Sequence, residues 1–186
     1  IGRPWRFLHV FFHPQTSWMT REALIAPPLF VTLGAAAWLG GVVPSAAVLV
    51  LALAFLYCQA RILQASIGIP AWRERRIVPL ILATGLAEGT GGFLILATIF
   101  GAVAPSVLAI WLAGSLLFLR WLAWTSYRQR FLRGPAPTGT RRALDAIHVP
   151  FLAIGTLVPL FLLVATQAWP SAAIALAPLA GLLSVA

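Results

Sequence analysis

The chain has 186 residues, of which 61% are hydrophobic and only 9% are charged. A soluble domain has about 25% charged residues, so this composition excludes an ordinary globular fold. The positively charged side chains are 13 arginines against 4 acids. Because the arginines stand between long apolar runs, they favour orientation in a membrane over nucleic-acid binding.

An amphipathic segment at positions 1–20 precedes six apolar runs. The first five runs exceed the roughly 20 residues that a membrane-spanning helix needs, and the sixth approaches that length. Lipid offers the backbone no hydrogen-bond partners, so the sequence predicts an all-α, polytopic transmembrane helix bundle. The predicted spans are about 23–43, 45–66, 77–103, 105–127, 143–167 and 169–186, in a single transmembrane domain covering 1–186.

Two further expectations concern particular positions in these runs. Pro159 lies deep in the fifth run and predicts a kink there.

Ile1 is not an initiator methionine, and the last run stops at Ala186 without a polar flank. We therefore expect the chain to be a piece of a longer protein.

The arginines occupy alternate connections of the predicted bundle. They are Arg3, Arg6 and Arg21 before the first span, Arg61, Arg73, Arg75 and Arg76 around the next arginine-rich loop, and Arg128, Arg130, Arg133, Arg141 and Arg142 between the fourth and fifth spans. The intervening turns carry no charge, so the positive-inside rule predicts that the arginine-rich loops lie in the cytoplasm. The alternative is that this face binds an acidic partner on whichever side the partner lies.

Glu88 lies near the middle of the third predicted span and is the one acid far from either interface. A charge at a helix centre costs about 2.5–3.5 kcal/mol on insertion scales, so its presence needs a reason. One interpretation is a proton relay or a ligand contact, and the other is a structural partner for a polar group on another helix. Arg120 also lies inside its span, where snorkelling to the arginine-rich interface is predicted.

Other polar side chains are predicted at the depth of that interface. Gln59, Arg61 and Gln64 lie near the end of the second span, while Asp145 and His148 share a face at the start of the fifth. Together they predict a polar cavity just inside the basic side, where a headgroup would bind.

The sequence indicates no self-contained catalytic or metal site. A membrane b-type haem usually needs two histidines facing each other from different helices. His9 and His13 belong to the N-terminal segment, while His148 belongs to a span, so no haem is expected. Cys58 is the single cysteine, which excludes a cysteine-ligated cluster. No phosphate-binding loop, zinc motif or serine elbow is present.

Several motifs resemble a known family of membrane anchors. They are Ile1-Gly2-Arg3-Pro4, Ser17-Trp18-Met19-Thr20-Arg21-Glu22, Arg61-Ile62-Leu63-Gln64, Pro70-Ala71-Trp72-Arg73-Glu74 and Gly85-Leu86-Ala87-Glu88-Gly89. The first two resemble the anchor subunit of dimethyl sulfoxide reductase-type enzymes, which belongs with the polysulfide-reductase-like anchors. The others look most like the anchor of phenylacetyl-CoA:acceptor oxidoreductase. This resemblance implies an eight-helix anchor, two of whose helices would precede Ile1.

The resemblance implies a subunit that does not act on the main substrate but carries the quinone site of an oxidoreductase complex. Electrons would pass between an iron–sulfur subunit and menaquinone or ubiquinone, as in anaerobic respiration. A molybdopterin or tungstopterin subunit would be the catalytic partner, so iron–sulfur clusters and molybdopterin are expected only in the partners.

The site residues that the resemblance implies lie at the start of the chain. Glu22 matches the motif glutamate near the quinone headgroup, and Trp18, Arg21 and Arg3 are expected beside it. Quinone reduction consumes two protons, so Glu22 and Glu88 are the predicted proton relay.

Three alternatives stand beside this interpretation. Ser17 or Thr20 would cap a helix whose positive end attracts the Glu22 carboxylate. A proton- or ion-coupled transporter bundle would use Glu88 as its coupling carboxylate, preferably at a repeat interface, although the sequence shows no convincing repeat. A purely structural anchor would differ from the quinone-reactive anchor only in that replacing Glu22 would not change the turnover of the complex.

Overall fold

The structure is a computed structural model that describes residues 4–101, 106–134 and 136–185. These residues form six helices: α1 (Trp18–Leu39), α2 (Val42–Ala65), α3 (Ile77–Gly101), α4 (Val107–Arg133), α5 (Thr138–Ala168) and α6 (Ala173–Val185). Short 3-10 helices at Pro4–Phe11 and Pro170–Ala172 complete the described secondary structure. The predicted all-α fold is confirmed.

Five of the helices, α1 to α5, are long and apolar enough to cross a membrane. The chain is therefore a multi-pass membrane protein, as predicted. The sixth apolar run folds differently from the expectation, because a 3-10 turn occupies its beginning and α6 has 13 residues. A sixth span stays a prediction.

The helix ends differ from the predicted spans because helices continue into polar sequence. α1 begins at Trp18, where the Ser17 side chain accepts a hydrogen bond from the Thr20 backbone N–H at 3.3 Å. α4 continues to Arg133, and α5 begins at Thr138. A hydropathy window detects the apolar part of a helix, whereas backbone hydrogen bonds extend beyond it into the interface.

Contacts divide the chain into two compact units, Ile1–Val78 and Pro79–Ala186. In the first unit α1 packs along α2, and the 3-10 helix Pro4–Phe11 contacts α1. Gly40 and Gly41 join the two helices with φ values of 66° and 93°, which favour glycine. This short connection makes α1 and α2 antiparallel, so the start of α1 lies beside the end of α2. The single transmembrane domain stays a prediction.

The second unit has a buried core shared by four helices. Its members are Ala87, Leu94, Ile110, Ala113, Leu117, Leu163 and Ala180. α3 and α6 meet closely at Gly91 and Gly181, where a Cβ on Gly91 would lie 2.8 Å from the Gly181 carbonyl oxygen. The close crossing of α3 on α6 thus depends on the absence of a side chain at Gly91.

A π-helical turn interrupts α5 at Ala153–Leu157. Pro159 lacks the N–H that an α-helix would direct at the carbonyl of Gly155, and its ring would crowd that carbonyl. The π turn immediately before the proline accommodates both effects. The structure therefore has a local π turn in the region where the sequence predicted a kink.

Candidate functional site

The beginning of α1 presents three of the predicted site residues on one helical face. Trp18, Arg21 and Glu22 are separated by three and four positions, so their side chains are neighbours. The Arg21 guanidinium carbon lies 4.1 Å from the centre of the Trp18 ring. Arg21 also donates from Nε to the Pro14 carbonyl at 2.6 Å and from Nη2 to the Gln15 carbonyl at 2.9 Å. These bonds attach the loop before α1 to the helix.

The end of α2 contributes polar groups to the same place. Gln59 donates a hydrogen bond from Nε2 to Oε1 of Glu22. The Arg61 guanidinium carbon lies 4.7 Å from the centre of the Trp18 ring, and the Tyr57 ring meets Trp18 edge-on at 5.7 Å. We call Trp18, Arg21, Glu22, Tyr57, Gln59 and Arg61 the α1–α2 cluster.

The α1–α2 cluster combines one carboxylate with two cations. Both guanidinium groups lie near the Trp18 ring, whose π system attracts cations. The Nε atom of Arg61 is buried and has no hydrogen-bond partner among the described residues. The cluster therefore has cationic donor capacity that the described protein groups do not use.

Two open grooves border the cluster. One of about 360 Å³ is lined by Arg21, Leu24, Ile25, Ala54, Tyr57 and Cys58. The other, of about 410 Å³, is lined by Thr16, Ser17, Trp18, Met19, Ile62, Ala65 and Ser66. Apolar atoms form almost the whole wall of the first groove, and Arg21 and Tyr57 are among its lining residues, so it suits a flat, mostly apolar molecule.

The other predicted site residues lie elsewhere. Arg3 is outside the described residues. Glu88 lies in α3, in the second unit. The structure thus gathers Trp18, Arg21 and Glu22 in one place, and it puts the two members of the predicted proton relay in different units.

The prediction that Arg120 snorkels to the interface is wrong. Its side chain is only 3% exposed, and Nη1 donates to the Ser184 carbonyl at 2.6 Å. The guanidinium carbon lies 4.4 Å from the centre of the Phe151 ring. A backbone carbonyl and an aromatic face inside the protein hold this side chain away from the interface.

The polar residues at the start of α5 pair with α4. Asp145 accepts from Nη2 of Arg128 at 2.7 Å, and Nδ1 of His148 accepts from Nε1 of Trp124 at 3.0 Å. Their predicted shared face is thus used for helix packing in the second unit. Among the described residues no group of three His, Cys, Asp or Glu side chains could hold a metal ion.

Sequence reasoning missed the role of Tyr57. The available signal was its spacing: Tyr57 lies one turn before Arg61 on α2, so both side chains reach the same neighbour. Its aromatic contact with Trp18 is visible only once α1 and α2 are known to be antiparallel.

Comparison with known proteins assigns no family to this geometry. No protein-family model matches the chain, and no curated protein or solved structure matches it. The function therefore has to be argued from the residues themselves.

Proposed function

We propose that this chain is the quinone-reactive membrane anchor of an oxidoreductase complex. It would pass electrons between an iron–sulfur subunit and the quinone pool, while a molybdopterin or tungstopterin subunit acts on the main substrate. The observation that carries the proposal is the α1–α2 cluster, in which the Glu22 carboxylate, the Gln59 amide and two guanidinium groups meet at one end of a helix pair.

The residues of the cluster fit a quinone. A bound quinone supplies an acceptor for two electrons and two protons. The Arg21 and Arg61 guanidinium groups donate hydrogen bonds to a carbonyl oxygen and favour the negative charge that develops there. The apolar part of the groove beside Leu24, Ile25 and Ala54 accommodates the hydrocarbon portion of the molecule.

Glu22 is the proton-transferring residue of the proposed site. Its Oε1 accepts a hydrogen bond from Gln59, which orients the carboxyl group and leaves the second oxygen to exchange protons. Gln59 is accordingly a positioning residue, because its contact in the structure is with the carboxylate.

Each arginine-rich loop is a proposed docking site for a partner subunit. Arg73 and Arg75 are exposed between α2 and α3, and Arg141 and Arg142 are exposed at the start of α5. A surface with this charge attracts an acidic protein and accelerates its association. By the positive-inside rule we place these loops, and hence the partners, on the cytoplasmic side.

Native purification in a mild detergent tests this assignment. We expect the chain to co-purify with an iron–sulfur protein and a pterin protein, and the complex to transfer electrons to or from an added quinone. Capture should fall in the Arg73→Gln/Arg75→Gln variant. Arg128→Gln, which removes a charge already paired with Asp145, is the matched control and should change capture little.

A chain that purifies alone would contradict the proposal. If proteoliposomes then showed substrate uptake coupled to protons or ions, and Glu88→Gln abolished that uptake, the transporter function would replace the anchor function.

A further inference from the structure

Arg120 is a fully enclosed cation within a membrane-spanning helix. It is 3% exposed and touches two other helices, through the Ser184 carbonyl of α6 and the Phe151 ring of α5. The π turn of α5 brings Gly155 against it, since a Cβ on Gly155 would lie 3.2 Å from Nη2 of Arg120. Side chains and backbone of the second unit thus enclose this guanidinium in a closely packed site.

One hydrogen-bonding atom in this place has no protein partner. The Nε atom of Arg120 is buried and finds no acceptor among the residues that the structure describes. An arginine keeps its charge in proteins, and a buried donor needs an acceptor. The contacts to Ser184 and Phe151 are made by a carbonyl dipole and a ring face, neither of which neutralises the charge.

Glu88 is the counter-charge available to Arg120. Glu88 lies one turn before Gly91 on α3, and Gly91 packs against Ser184, the residue whose carbonyl accepts from Arg120. No direct ion pair within 4 Å joins Glu88 and Arg120. The Asp145 carboxylate of α5 is bound to Arg128, and Nδ1 of His148 is bound to Trp124. The described residues of α6 include no titratable side chain, and Glu88 is the one charged residue of α3.

We propose that Arg120 and Glu88 form a water-bridged charge pair within the second unit, in which Arg120 positions the Glu88 carboxyl group as a proton-accepting site. A water molecule accepts from Nε of Arg120 and donates to a Glu88 oxygen, which satisfies the buried donor. The ligand of the site is therefore water and the proton that it delivers. This inference does not rest on the quinone assignment.

The proton step at this site is simple. A Glu88 carboxylate oxygen accepts one proton from a hydronium ion, forming an O–H bond and leaving a neutral water molecule, with no change of oxidation state. The Arg120 charge then loses its counter-charge but keeps its contacts with Ser184 and Phe151.

A double-mutant cycle in lipid nanodiscs tests the pair. Breaking a buried pair on one side is more destabilising than removing both partners. We expect Glu88→Gln and Arg120→Gln each to lower the melting temperature by on the order of 10 °C. The Glu88→Gln/Arg120→Gln variant should melt closer to the wild type than either single variant does. Effects that add in the double variant would overturn the proposal.

Infrared spectroscopy separates the proposed positioning role from a merely structural one. The carboxylic-acid C=O stretch of Glu88 is identified as the band that Glu88→Gln removes. In the wild type we expect this band to grow as the pH falls, and in Arg120→Lys, which keeps the charge, it should still respond to pH. In Arg120→Gln the band should persist over the whole pH range, because the carboxylate has lost its counter-charge.

Two results would contradict the positioning role. One is a Glu88 band with the same pH response in the wild type and in Arg120→Gln. The other is an Arg120→Gln single variant that does not fold and that the added Glu88→Gln change does not rescue. That failure of the double variant to fold would equally overturn the pair.

Discussion

Replacement of Glu22 by Gln is expected to lower quinone turnover of the intact complex by about 10²–10⁴-fold, the usual contribution of a positioned proton-transferring group. The amide oxygen of the replacement can still accept the hydrogen bond from Gln59, so the packing of α1 on α2 is retained. Only the capacity to exchange a proton is lost. Turnover is measured with a water-soluble quinone analogue on complexes of equal subunit content.

Glu74→Gln is the matched control for this experiment. It is the same chemical change in the loop between α2 and α3, outside the α1–α2 cluster. We expect Glu74→Gln to keep quinone turnover within a few-fold of the wild type. Unchanged turnover in Glu22→Gln, with the complex intact, would leave the chain as a structural anchor in which Glu22 serves the helix N-terminus.

Replacement of Gly91 by Ala, which adds one methyl group, is expected to lower the stability of the second unit strongly. The new methyl group would meet the side chain of Ser184 and would lie 2.8 Å from the Gly181 carbonyl oxygen. Ser184 can rotate, but the carbonyl belongs to the backbone of α6, so the two helices must separate. Overpacking of this kind costs about 1–3 kcal/mol, occasionally more, and thermal unfolding in detergent measures it.

Gly89→Ala and Gly92→Ala are the controls on the same helix. A Cβ at either position has no heavy atom within 4 Å, so nothing resists the added methyl group. Alanine is a better helix former than glycine by roughly 0.5–1 kcal/mol, so these variants should be as stable as the wild type or slightly more stable. A Gly91→Ala protein that melts like these controls would contradict the close crossing of α3 and α6.

The existence of the helices could be predicted from the sequence, but their ends could not. Apolar length and the lack of backbone partners in lipid require helices, and the structure contains them. The ends depend on local hydrogen bonds that hydropathy does not register. The start of α1 is the exception: Ser17, one of the two expected caps, directly precedes the first helical residue, Trp18, which lies five residues before the span that hydropathy predicts.

The candidate site was partly predictable. Motif residues indicated Trp18, Arg21 and Glu22, and depth along α2 indicated Gln59 and Arg61. Which polar group contacts which depends on the antiparallel packing of α1 and α2, and Tyr57 was missed for that reason. Arg120 was misjudged because hydropathy gives its depth in one helix, whereas its partners Phe151 and Ser184 come from two others.

Photoaffinity labelling tests the central claim most directly. A light-activated azidoquinone is bound to the native complex, crosslinked, and located by mass spectrometry, with excess quinol as competitor. We expect labels at the start of α1 and the end of α2, near Trp18 and Tyr57. Excess quinol should remove these labels, and Glu22→Gln should leave their positions unchanged. Competed labels confined to the second unit, or none in this chain, would contradict it.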